Sequence, residues 1–250
     1  MIKINRGACP PELTLEVQQN KTALFKRDGS AVWDEQYIKD GLLRMSHGKC
    51  CYCECDVTKE SNYMEVEHFH HKDQYKDEVV SWNNLLPSCK KCNGTKNNHD
   101  TVAEPIIDPS IDNPQDHMKI VNSVRFRGKT DKGRTTIATL NLNDQDRHCK
   151  PRFEVVNSII EKLEELKDKL DDIIAVPPRT TIKMNNLRNA INDLLEQCQE
   201  DKQYSAVKLT TLLNDKYYLE ISQWLKDNDY WTDAMTGFES NIQQHKYDTL

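Results

Sequence analysis

Cys50, Cys51, Cys53 and Cys55 crowd four thiols into the six-residue stretch CCYCEC, and a second pair, Cys89 and Cys92 of CKKC, follows downstream. Cys50 and Cys53 form one C-x2-C knuckle, Cys89 and Cys92 another, with 35 residues between them. Each knuckle lets two thiolates reach one ion from a tight turn, and two knuckles complete a tetrahedral four-sulfur zinc site. Such a site constrains the fold strongly, because its binding free energy is folding free energy, on the order of 10 kcal/mol. With every position filled by thiolate, no coordination site is left for water, so the zinc is expected to be structural. Cys51 and Cys55 are surplus: alternative ligands or small buried hydrophobes. A thioredoxin-like redox reading fails, since no βαβ pattern surrounds either motif. A disulfide framework is disfavoured too: MIKINRGACPPEL at the N-terminus lacks the apolar core of a secretion signal, which points to the cytoplasm, where clustered thiols bind metal or do redox chemistry. No apolar run approaches the ~18 residues of a membrane span.

Around the cysteines the pattern is helical at both ends. Residues 12–27 and 34–48 read as two short helices, the second with Tyr37, Ile38, Leu42, Leu43 and Met45 roughly on one face and Gly48 as a stop. YMEVEHF (63–69) reads as a strand and WNNLLPSC (82–89) as a turn followed by a short extended piece. Residues 101–133 read as loop with one strand near 119–127. Beyond them, apolar stripes predict three helices: 153–174, ended by Val176-Pro177-Pro178, then about 179–200 with Ile182 in its stripe, then about 204–227. The organisation predicted is an N-terminal helical segment (1–47), a zinc-knuckle domain (48–134) and a helical domain (135–250). The fold class is α+β, mainly helical.

The chemistry lies between the knuckles. Glu67 offers a hard oxygen ligand for a divalent ion, and the adjacent His68 a general base near neutral pH. Asn93, directly after Cys92, offers a neutral oxygen ligand at the start of a short helix, and Lys96 a cation for phosphate. Together these groups suit metal-assisted phosphodiester hydrolysis.

The combination C-x2-C, Glu67-His68, WNNL, C-x2-C-Asn-x2-Lys resembles the HNH endonuclease family and covers roughly residues 48–100. That resemblance implies a small zinc-stabilised ββα-metal finger. It also implies His68 as the base that activates water, Glu67 and Asn93 as ligands of a catalytic Mg²⁺ or Mn²⁺, and Asn84 as the brace that orients the histidine. Two departures stand out: Glu67 where many members have Asp, and His70-His71 where many have Pro soon after the base. A narrower likeness, through MIKINRG, EHFHHK, SWNNLLPSCKKCNGTKNN and GRTTIATLNLND, is to the HNH nucleases of Septu and retron-linked anti-phage systems. It implies an ABC-type ATPase partner, with a retron's reverse-transcribed DNA in some systems, and it makes the helical half a docking surface.

Charge divides along the chain in the same sense. Residues 153–250 carry 11 Lys+Arg against 18 Asp+Glu, whereas residues 1–152 carry 23 against 22. Within the first part, RFRGKTDKGR has five basic residues and one acidic, which makes Arg125, Arg127 and Lys129 candidates for nucleic-acid backbone; a plain β-turn region would look the same. Two other functions compete with the nuclease: a zinc-ribbon module that binds nucleic acid without cutting it, and an adaptor whose helical half recruits an ATPase. A pure binding module has no need of a general base, so the Glu67, His68, Asn84 and Asn93 set favours the nuclease.

Overall fold

The computed structural model describes residues 1–59, 63–175 and 180–249. The expected helix stop at Val176-Pro177-Pro178 lies outside them. The fold is mainly helical, with two two-stranded sheets. The chain divides into two compact units: residues 1–118 with 126–143, and residues 119–125 with 144–250.

The first unit opens with α1 (Leu15–Asp28), capped by the Thr14 hydroxyl on the Val17 amide and closed by Gly29 in the left-handed region at φ 75°. In α2 (Gln36–Ser46), Ile38, Leu42 and Met45 are buried, whereas Tyr37 and Leu43 of the expected face are half-buried. This helix packs on the sheet formed by β1 (Met64–His68) and β2 (Leu85–Cys89). The two strands are antiparallel in a register that sets Met64 opposite Cys89 and His68 opposite Leu85. Every residue of β2 is buried. Cys89 ends β2 and caps the helix that follows, α3 (Lys90–Lys96). The N-terminal segment pins the turn before β2: the Arg6 guanidinium donates to the carbonyls of Trp82 and Leu85, on either side of Asn84, and the Trp82 indole donates to the Gly7 carbonyl at 3.0 Å.

The stretch 101–133 holds more structure than its composition announces. It contains α4 (Pro114–His117), two short strands where one was expected, β3 (Met118–Val121) and β4 (Arg125–Gly128), and the start of α5 (Asp131–Thr139). Gly133 explains how a polar segment packs so tightly. A Cβ there would stand 2.0 Å from the His117 carbonyl oxygen, so only glycine admits this approach.

The second unit is a helical assembly of α6 (Lys150–Ala175), α7 (Thr181–Gln197), α8 (Ser205–Asn214), α9 (Lys216–Asp227) and α10 (Asp233–Gln243). The stripe Ile159, Leu163, Leu166, Leu170 and Ile173 of α6 is buried in one core with Leu187 and Ile191 of α7, Leu209 and Leu212 of α8, and Ile221 and Leu225 of α9. The single helix expected over 204–227 is two. Asp215 accepts hydrogen bonds from the Tyr217 and Tyr218 amides, which starts α9 afresh and turns its stripe to the core. Ile174 and Ile182, assigned to apolar stripes, are exposed instead. Among the described residues, no helix is long and apolar enough to cross a membrane.

Candidate metal centre and the adjoining cleft

The first knuckle is a tight turn. The Cys50 amide donates to the Cys55 carbonyl at 2.9 Å, the Glu54 amide to the Cys50 carbonyl at 3.0 Å, and Glu54 adopts a left-handed φ of 65°. The second knuckle is the junction of β2 and α3, where the Cys92 amide donates to the Cys89 sulfur at 3.4 Å. Antiparallel pairing of β1 and β2 brings the two turns together, helped by the Cys51 amide, which donates to the Pro87 carbonyl of β2 at 2.8 Å.

The sulfurs of Cys50, Cys53, Cys89 and Cys92 all lie within 4.8 Å of one another, and all four residues are buried. Cys53 and Cys89 are 3.8 Å apart. A tetrahedral ion with zinc–sulfur bonds of ~2.3 Å separates its ligand sulfurs by ~3.8 Å, so the arrangement fits zinc. Mutual hydrogen bonding splits the thiols: Cys50 and Cys89 are pulled below the usual range, while Cys53 and Cys92 are pushed above it. A cluster this dense cannot hold four thiolates without a cation. Of the surplus thiols, Cys51 is pushed up by burial and lies outside the group. Cys55, pushed up by its hydrogen bonds to Cys50, Cys53 and Cys89, stands beside it as a fifth sulfur.

β1, the strand paired with β2, carries two of the other candidate residues. His68, at the end of β1, is 8% exposed, and its Nε2 lies 2.9 Å from the Val79 carbonyl oxygen. A carbonyl only accepts, so Nε2 carries the ring proton and Nδ1 keeps its lone pair. Among the described residues Nδ1 has no hydrogen-bond partner. Burial pushes the imidazole down to about 4, which keeps it neutral at pH 7. Asn84 clamps the chain just beyond: its Oδ1 accepts from the His70 amide at 2.7 Å, and its Nδ2 donates to the carbonyls of His70 and Glu78 at 3.0 and 3.2 Å. The clamped segment ends at Glu78, directly before Val79, whose carbonyl orients His68.

Glu67 and Asn93 are not brought together. Glu67 is buried, its Oε1 2.7 Å from the Lys96 ammonium and 3.4 Å from the Tyr52 hydroxyl. Burial pushes its carboxyl up to about 7, against the pull of Lys96 and of Tyr52. Lys96 is only 2% exposed and also donates to the His68 carbonyl at 2.8 Å. The expectation that Lys96 meets phosphate gives way to this position: its ammonium neutralises a buried carboxylate, which would otherwise be too costly to desolvate. Asn93 instead donates to Glu65 Oε2 at 2.8 Å. Glu65, two residues before Glu67, is therefore the carboxylate that shares a cleft with Asn93 and His68. The sequence holds no signal that picks Glu65 over Glu67, since the two alternate to the same side of a regular strand. The remaining basic candidates lie on and after β4, with Arg125 and Arg127 exposed on either side of inward-facing Phe126. Arg125 donates to Gln145 at 3.0 Å, and Lys129 to the Gln115 carbonyl at 3.2 Å.

The cleft beside His68 measures about 370 Å³ and is lined by Trp33, Lys39, Tyr63, Glu65, Lys72 and Asn93, among others. Its oxygen donors, Glu65 and Asn93, suit a hard divalent ion. Trp33, from the loop before α2, stands perpendicular to the His68 ring with centroids 4.8 Å apart.

The chain is 37% identical to the Septu protein PtuB of Bacillus thuringiensis, across 98% of this chain and 95% of that protein. It is 25% identical to a Septu protein PtuB of Bacillus mycoides strain KBAB4, across 69% of this chain and 73% of that protein. No family model matches the chain.

Proposed function

The chain belongs to the Septu PtuB family, and on that premise we propose that it is a metal-dependent HNH endonuclease acting as the effector of an anti-phage complex with an ABC-type ATPase. The observation that carries this reading is His68: a neutral imidazole whose Nε2 is fixed to a carbonyl and whose Nδ1 lone pair is unpartnered, beside a cleft with hard oxygen donors.

In this mechanism Nδ1 of His68 takes the proton of a water molecule as that water attacks phosphorus. The Val79 carbonyl holds the tautomer that makes Nδ1 the base and stabilises the imidazolium that forms. Asn84 keeps the chain between residues 70 and 78 in the geometry that aims the ring. Asn93 and a carboxylate of β1 would hold Mg²⁺ or Mn²⁺, which when bound would supply positive charge to the phosphate oxygens. The motif assigns that carboxylate to Glu67, whereas position in the cleft favours Glu65. We expect Glu65→Gln to reduce cleavage at unchanged stability. Glu67→Gln should also lower stability, by roughly 3–5 kcal/mol, because it strands the buried Lys96 ammonium. Rates and urea midpoints of the two variants separate the assignments; a Glu65→Gln protein that cleaves like the wild type returns the ion to Glu67.

The acidic helical unit is the proposed contact for the ATPase. Glu161, Glu164, Asp168 and Asp172 form one exposed stripe along α6. Such a surface repels a nucleic-acid backbone and suits a basic protein face. Because residues 119–125 cluster with residues 144–250, a cut near residue 150 would strip a strand from this unit, so the test uses the full chain. Reversing the four charges to lysine should abolish co-purification with the ATPase. Undiminished co-purification would remove α6 from the contact.

A further inference from the structure

Resting on the nuclease reading, we propose that the cleft beside His68 is a slot for an unpaired nucleobase with Trp33 as its stacking surface, so that the chain acts on single-stranded nucleic acid. Trp33 is half-buried. It stands perpendicular to His68 at 4.8 Å and to Phe25 at 5.8 Å between centroids, which fixes the plane of the indole next to the proposed base. The ammonium of Lys72 lies over the ring, 5.4 Å from its centroid. That ring is the contact Lys72 makes: among the described residues no carboxylate pairs with it. A cation resting on an indole face, beside a general base and without a counter-ion, is a ready receptor for a nucleotide. The base takes the ring, and the flexible lysine chain swings to the flanking phosphate.

The rest of the lining agrees. Tyr63 offers a second aromatic surface in the lining, 55% exposed. The two acidic groups that line the cleft are already engaged: Asp34 with Lys39, and Glu65 with Asn93. The volume of about 370 Å³ falls in the usual range for small-ligand clefts. In a duplex both faces of each base are covered by its neighbours, so an aromatic wall at the reacting phosphate serves only a base that is unpaired or has been turned out of the stack.

The test uses full-length protein carrying His68→Ala, which binds without cutting, and an oligonucleotide with 2-aminopurine, whose fluorescence falls on stacking. The single strand should bind at least about tenfold more tightly than its duplex, with quenching. Adding Trp33→Leu should weaken single-strand binding roughly ten- to hundredfold and relieve the quenching, while Trp33→Tyr should restore both. Zinc content reports whether the Trp33 variants keep their fold. Should Trp33→Leu fail to fold, Tyr63→Ala and Lys72→Gln, both changes at the cleft mouth, must each weaken single-strand binding for the proposal to stand. Equal or tighter binding of the duplex, or unchanged quenching in a folded Trp33→Leu protein, overturns the slot. Wild-type protein that cuts duplex but not single strand likewise overturns it and leaves the nuclease reading intact. Quenching through Trp33 in a protein that cuts neither supports the slot and rejects the nuclease.

Discussion

Cys92→Ser should release the zinc and unfold the first unit. Cys92 is fully buried and completes a set of four sulfurs that lie within 4.8 Å of one another. An ion there would join the turn at Cys50–Cys53 to the junction of β2 and α3, where Cys89 stands opposite Met64 of β1. A site of this kind contributes on the order of 10 kcal/mol, comparable to the whole stability of a domain. Serine is a poor zinc ligand, and the three remaining thiols would be left crowded without their counter-charge. Elemental analysis should give about one zinc per chain in the wild type and a large loss in the variant. Circular dichroism should retain the signal of the helical unit, whose core of leucines and isoleucines owes nothing to the cysteine cluster. Cys51→Ser should keep the zinc, since Cys51 lies outside the group. A folded, metal-free Cys92→Ser protein would remove the zinc from the account.

His68→Ala should lower the cleavage rate by roughly 10²–10⁴, the usual contribution of a general base. It should leave the zinc in place. His68 is buried against Trp33, so the truncation also loses an aromatic contact worth about 1 kcal/mol, far too little to unfold the protein. The expected signature is therefore a large loss of rate with a small shift in midpoint. Near-normal cleavage by this variant would remove His68 from the mechanism, whatever its geometry.

The elements visible in the sequence are those whose signal is local. Each C-x2-C pair sits in one turn, so spacing alone announces two ligands. The strand over 63–69 and the stripe of α6 are legible for the same reason, since alternation and 3.6-residue spacing need no partner to be read. The break at Asp215 was less so: the apolar stripe continues through it, and only the capping of the Tyr217 and Tyr218 amides shows where one helix ends and the next begins. What remained hidden depends on tertiary placement. Lys96, in a short polar helix, looks like a surface cation until Glu67 is seen buried beside it. Glu65 becomes a cleft residue only once α3 lays Asn93 against β1. Trp33 lies in a loop with no motif, and nothing in its own neighbourhood ties it to a histidine in the zinc-knuckle segment.

The most direct measurement is phosphodiester cleavage by the purified full-length chain. End-labelled single-stranded DNA and RNA would be incubated with added Mg²⁺ or Mn²⁺, without added divalent ion, and with His68→Ala protein that retains its zinc. The account predicts fragments from the wild type only when the ion is added, and none above background from the variant. Cleavage at equal rates with and without added ion, or by wild type and variant alike, would contradict it.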